Sequence, residues 1–174
     1  GFWYSRYDAP QGENALKAAN HNHKIYWHRL GTPQDHDTLV YERPDQPEWN
    51  LNATATDDGR YLVIAASQGT DERTMLYYRD LRDRGARVHA LVPAPEAAYD
   101  FIGNDGATFF LRTDHGAERY RVVAVDRARP DPANWRELIP EGEATLQAVG
   151  LVNRQLIASS LRDAHTEVVA YDLG

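Results

Sequence analysis

An all-β fold built from repeated four-stranded antiparallel units is predicted by three phrases that recur along the chain in step. The first is a polar turn followed by an apolar run. It stands at Thr56-Asp57-Asp58-Gly59-Arg60-Tyr61-Leu62-Val63-Ile64-Ala65-Ala66-Ser67, returns at Asn104-Asp105-Gly106-Ala107-Thr108-Phe109-Phe110-Leu111, and recurs more weakly at Val152-Asn153-Arg154-Gln155-Leu156-Ile157-Ala158. Asp58 and Asp105 lie 47 positions apart, Asp105 and Asn153 lie 48 apart, and the glycines supply the positive φ that such turns need. The second phrase is a β-rich run closed by an aspartate: Leu76 to Leu81, Val122 to Asp126 and Val168 to Leu173, with Asp80, Asp126 and Asp172 spaced by 46 each time. The third is a short strand ending at proline, at Leu39 to Pro44, Ala90 to Pro93 and Glu137 to Pro140. Proline cannot donate to a ladder, so these strands belong at sheet edges.

Taken in order, Gly1 to Tyr7 reads as a strand, so the chain is expected to begin inside a unit whose innermost strand is missing. A long polar excursion, Asp8 to Asn22, follows, with a helical turn expected near Ala15-Leu16-Lys17-Ala18-Ala19. Strands are then expected at Lys24–Leu30 and Leu39–Arg43, and Asp45-Gln46-Pro47-Glu48-Trp49 reads as a link. The second unit places strands near Ala53–Thr56, Tyr61–Ser67, Met75–Asp80 and Val88–Val92. The third, after Pro93-Ala94-Pro95-Glu96, places them near Ala98–Ile102, Thr108–Arg112, Tyr120–Asp126 and Trp135–Ile139. The last places them near Leu146–Val152, Leu156–Leu161 and Val168–Asp172, and lacks an outer strand. No helix of useful length is expected.

The totals narrow the classes. A formal net charge of −7 and a pI of about 5.4 oppose a nucleic-acid backbone or an anionic membrane as the main partner. There is no cysteine, which removes disulfides and thiolate metal sites. No apolar run approaches the ~20 residues of a membrane-spanning helix.

Four-stranded antiparallel repeats of this length are the signature of β-propeller blades, with approximate limits 1–44, 50–93, 97–140 and 145–174. A blade gains stability by packing its face on the next one. Four blades, two of them incomplete, are therefore expected to leave apolar faces at both ends and to pack against further chain or against another copy.

Gly1-Phe2-Trp3-Tyr4-Ser5-Arg6-Tyr7-Asp8, His28-Arg29-Leu30-Gly31-Thr32, Asp57-Asp58-Gly59-Arg60-Tyr61-Leu62, Leu76-Tyr77-Tyr78-Arg79-Asp80-Leu81 and Tyr99-Asp100-Phe101-Ile102-Gly103-Asn104-Asp105-Gly106 together resemble the propeller domain of the prolyl oligopeptidase family of serine peptidases. The resemblance runs almost end to end and implies a partial ring from a seven-bladed propeller. It also implies a partner, the α/β-hydrolase domain of the same enzyme, which cleaves after proline while the propeller gates short peptides into the cavity between the two. Family propellers face that cavity with residues after the Trp of an inter-blade link and after a second strand, which places Asn50, Gln68 and Thr70 as substrate-facing. Asn50-Leu51-Asn52 departs from the family pattern of larger apolar residues and glycines or alanines after that Trp.

The catalytic chemistry itself is not in these residues. A Ser-His-Asp enzyme of the hydrolase fold needs a Gly-x-Ser-x-Gly elbow, and Ser5, Ser67, Ser159 and Ser160 are not flanked by the required glycines. The chain alone is expected to be inactive and to need no cofactor. His21-x-His23 lacks a third donor for a metal, and the Asp-Asp-Gly and Asn-Asp-Gly turns lack the further ligands of a calcium loop. His28, His89 and His165 are expected to pack or hydrogen-bond. Asp80, Asp126 and Asp172 are expected to cap turns, and Asn52-Ala53-Thr54 matches a glycosylation acceptor by coincidence. The core is expected to hold Trp3, Tyr26, Trp49, Tyr61, Tyr77, Phe109 and Trp135. Two functions follow: a gating propeller of a prolyl oligopeptidase-type endopeptidase, or a stand-alone or engineered propeller fragment that self-assembles or binds protein without an enzymatic role.

Overall fold

The computed structural model describes residues 1–9, 21–162 and 165–174. The expected helical turn near Ala15–Ala19 lies outside the described residues. Fourteen strands are described, arranged as four antiparallel meanders in which each strand pairs with its sequence neighbour. These fall into two units, residues Gly1–Pro93 and Ala94–Gly174.

Unit 1 holds two sheets. The first has the order β1 (Phe2–Arg6), β2 (Lys24–His28), β3 (Thr38–Glu42). The second has the order β4 (Trp49–Ala55), β5 (Tyr61–Gln68), β6 (Thr74–Asp80), β7 (His89–Val92). Between them lies a core of Ile25, Leu51, Leu62, Ile64, Ala66, Met75 and Tyr77, flanked by Trp3, Val40, Tyr41 and Trp49. Strands alternate their side chains between faces, so Ile25 points into this core while Tyr26 and His28 point to the opposite face with Phe2 and Tyr4. The central strands β5 and β6 are buried on both faces, which explains why they read as continuous apolar runs.

Unit 2 also holds two sheets. One has the order β8 (Tyr99–Asp105), β9 (Thr108–Thr113), β10 (Arg121–Asp126), β11 (Arg136–Ile139). The other is β12 (Thr145–Val152), β13 (Gln155–Arg162), β14 (His165–Asp172). Val122, Ile139, Leu146, Leu156 and Ala158 form the core between them, with Ile102, Val149, Leu151 and Tyr171 packed against it. Gly103 sits at a register shift in β8, where an added Cβ would lie 2.8 Å from Leu151 Cδ2. A glycine here lets β8 and β12 approach closely.

The proline-ended strands β3, β7 and β11 are all sheet edges. The repeated turns differ in backbone: Gly59 at φ 65° and Gly106 at φ 56° each supply one left-handed residue, while the third turn uses two in succession, Asn153 at φ 46° and Arg154 at φ 63°. The polar turn before β5 is locked by Thr56, which is buried; its Oγ1 accepts the Tyr61 amide at 2.9 Å and donates to Asp58 Oδ1 at 2.6 Å.

Several expectations change in detail. β4 starts at Trp49, not Ala53, because Trp49 to Asn52 pair with Gln68 to Ala65 and so extend the ladder into the expected link. Asp80 and Asp126 cap turns by accepting the Arg82 and Ala128 amides at 3.1 and 2.9 Å, whereas Asp172 instead accepts from the Gln155 side chain across the ladder at 2.7 Å. Of the expected aromatic core, Tyr61, Tyr77 and Phe109 are buried; Trp3, Tyr26, Trp49 and Trp135 are half-buried at the margins. His28 bonds to Asp37 at 2.7 Å and His89 stacks on Tyr78, but His165 is exposed at the start of β14.

Candidate functional site

The residues expected to face a peptide gather at one end of the sheet β4–β7. The start of β4 pairs antiparallel with the end of β5, Trp49 opposite Gln68 and Asn50 opposite Ser67. This register brings Asn50 and Gln68 to the same end, and Thr70 follows in the exposed turn that leads into β6. The turn is closed by the Asp71 amide donating to Gln68 O at 3.0 Å, with Gly69 at φ 56°. Gln68 Nε2 also donates to Glu48 Oε2 at 3.4 Å.

Asn50 is held more firmly than an exposed polar contact residue. It is half-buried, and its Oδ1 accepts from Tyr7 Oη at 2.5 Å. The Tyr7 ring stacks on His23 with centroids 4.1 Å apart and planes 12° from parallel. His23 Nδ1 in turn accepts the backbone amide of Leu51 at 2.9 Å, and the Asn22 amide donates to Pro47 O at 2.7 Å. The end of the first sheet therefore fixes the strand that carries Asn50. Tyr7 and His23 were not singled out as site residues. Their contacts span 43 and 28 positions, and no local pattern marks them.

The electrostatics at this end are mixed and internally paired. The Arg73 guanidinium and amide hold Asp71 down to about 2. Asp8 is held below the usual carboxylate range, chiefly by the hydrogen bond from Lys24 at 2.6 Å, and Lys24 is correspondingly raised. Burial pushes the His23 imidazole below its ordinary value. Asn50, Gln68 and Thr70 themselves carry no charge. Such amide and hydroxyl groups can hydrogen-bond a peptide backbone in any sequence, without selecting a charged side chain.

The four serines of the chain all lie in strands: Ser5 in β1, Ser67 in β5, and Ser159 and Ser160 in β13. None stands on the sharp strand-to-helix turn that exposes a hydrolase nucleophile. Among the described residues, no three His, Asp or Glu side chains gather as a metal site.

Comparison with known proteins adds the following. The family model described as prolyl oligopeptidase, N-terminal beta-propeller domain, matches residues 1–174. Prolyl oligopeptidase A of Amanita bisporigera is 32% identical over 167 residues, covering 91% of this chain and 22% of the fungal protein. A prolyl endopeptidase of Elizabethkingia miricola is 31% identical over 172 residues, covering 99% of this chain and 24% of its own. Among solved structures, prolyl oligopeptidase B of Galerina marginata in its apo form has a TM-score of 0.86 at 28% identity, over 99% of this chain and 24% of that one. The same protein bound to a 35mer hydrolysis and macrocyclization substrate gives a TM-score of 0.88 at 28% identity and the same coverage. The chain thus spans about a quarter of the length of the relatives it matches. Its strands are those of a partial β-propeller.

Proposed function

The chain belongs to the prolyl oligopeptidase N-terminal β-propeller family, and on that premise we propose that it gates peptides for a serine endopeptidase that cleaves after proline. The observation that carries this reading is the family match over all 174 residues, joined to the absence of a Gly-x-Ser-x-Gly elbow from the same residues. The nucleophile then belongs to an α/β-hydrolase domain outside this sequence, and the propeller contributes access and alignment.

In this reading the blades run approximately 1–44, 50–93, 97–140 and 145–174, within a ring of seven. Asn50, Gln68 and Thr70 face the peptide, their neutral donors and acceptors steadying its backbone. A filter of this kind selects by size and flexibility instead of sequence. One neighbour, a prolyl oligopeptidase B of Galerina marginata, is solved with a 35mer substrate bound.

A second reading, an interaction module that assembles through its sheet faces, is favoured by one observation. Val152, Leu161 and Val168 are exposed on the last sheet, and Phe2 and Leu39 on the first. Splicing separates the two. The 174 residues replace the corresponding segment of the Elizabethkingia miricola prolyl endopeptidase, and cleavage of a proline-containing octapeptide is followed. A gating propeller yields a folded, active chimaera; a folded chimaera without cleavage overturns the gating reading.

A further inference from the structure

His23 is placed where its protonation state decides a backbone hydrogen bond. Its Nδ1 accepts the Leu51 amide at 2.9 Å, so this nitrogen must carry its lone pair and the ring must be neutral. Leu51 is fully buried in the core between the two sheets of unit 1. Asn22, at φ 57°, directs the chain into β2 and donates its amide to Pro47 O at 2.7 Å, and Tyr7 stacks on the imidazole while donating to Asn50. Among the described residues, three hydrogen bonds thus join the end of the first sheet to β4 and the link before it, and of these the one through His23 can be switched off by a proton.

Unit 2 supplies an internal control. There the start of β12 is tied to the segment before β10 by the Leu146 amide, which donates to Arg119 O at 2.9 Å. A residue with positive φ again precedes the strand, Tyr120 at 67°. A carbonyl accepts at every pH. In unit 1 an imidazole has taken the carbonyl's place.

We propose that His23 is a proton-controlled tie between the first sheet and β4: neutral, it locks the start of β4; protonated, it releases the Leu51 amide and loosens the Tyr7–Asn50 arm. This goes beyond the gating reading and holds whether or not a peptide is the ligand. On protonation Nδ1 becomes a donor facing the Leu51 N–H, and two donors repel. The charged and titratable groups around it come from each neighbouring element. From the end of β1 come Tyr7 and Asp8, from β2 Lys24, from β3 and its continuation Glu42, Arg43 and Asp45, and from the link before β4 Glu48; His21 offers its carbonyl to the Asp8 amide. Lys24 bridges Asp8 and Glu42 at 2.6 and 3.8 Å, and Arg43 pairs with Asp45 at 2.7 Å. Burial holds His23 below its ordinary value, consistent with an imidazole kept neutral.

The test is amide hydrogen exchange at Leu51, corrected for the intrinsic pH dependence of exchange, alongside an NMR titration of the His23 ring in the full chain. The expected result is that His23 titrates below about 6.5 and that Leu51 protection falls by about tenfold or more over the same interval. His23→Gln, whose Oε1 accepts at every pH, should keep Leu51 protected throughout, and His23→Ala should leave it unprotected throughout. Should His23→Ala fail to fold, the native chain and His23→Gln carry the test. Leu51 protection that is flat through the His23 titration overturns the proposal, as does an unchanged pH-dependent loss in His23→Gln.

Discussion

At the scale of single residues, the turns hold the most telling side chains. Thr56 is buried with its hydroxyl committed to both the Tyr61 amide and Asp58. Thr56→Val keeps the shape and strands the Tyr61 amide, so it should cost about 1–3 kcal/mol in denaturant unfolding. Arg154 presents the opposite case. It occupies φ 63° as the second residue of a two-residue turn, after Asn153 at φ 46°, and its guanidinium contacts to Asp105 and Gly174 O are exposed. Exposed ion pairs contribute little, while a left-handed backbone without glycine is strained, so Arg154→Gly should stabilise the chain by about 1 kcal/mol. An unchanged or lowered stability would show that the Arg154 contacts outweigh the strain.

At the scale of elements, the pairing of strands follows from their alternation, and the ties between sheets do not. The strands were legible because Tyr61–Gln68, Thr74–Asp80 and Arg121–Asp126 are β-branched and aromatic runs bounded by turn residues. The start of β4 was not, because Asn50 and Asn52 are poor strand formers that occupy an edge strand, where one row of side chains needs no apolar partner. The site was legible only in outline. Resemblance supplied Asn50, Gln68 and Thr70, but the Tyr7 and His23 arm that holds Asn50 depends on how the first sheet packs on the second. Leu51, fully buried at that junction, is the element's anchor, and Leu51→Ala should cost about 2–5 kcal/mol. A loss below 1 kcal/mol would mean that the two sheets do not share a core.

The first sheet carries its own acid-sensitive clasp. Asp37 is buried beneath Tyr4 and His28, which bond to its two oxygens at 2.5 and 2.7 Å. Burial alone would raise this carboxyl; the bonds from Tyr4 and His28 outweigh it and hold the group below its ordinary value. A carboxyl with a depressed folded value contributes stability above its unfolded value of about 3.9, and that contribution is lost as pH falls through the folded value. Acid unfolding of Asp37→Asn should therefore lack part of the loss the native chain shows below about pH 4. Parallel acid curves for the two chains would contradict this role.

At the scale of the whole molecule, the apolar side chains left uncovered set the behaviour in solution. Val168 is 63% exposed and Val152 55%, and with Leu161 they share the last sheet; Phe2 is 48% exposed on the first. Blade-type sheets are stabilised by face-to-face packing, so the isolated 174 residues should gain mass with concentration, through ordered association or aggregation. Light scattering across a dilution series checks this, and a stable monomer at every concentration would contradict it. Under the proposed gating function, this chain decides what reaches a proline-cleaving active site. The most direct measurement compares, in the spliced enzyme, cleavage of a proline-containing octapeptide with cleavage of the same sequence displayed in a loop of a folded protein. The gating account predicts cleavage of the peptide and none of the folded protein; equal cleavage of both would contradict it.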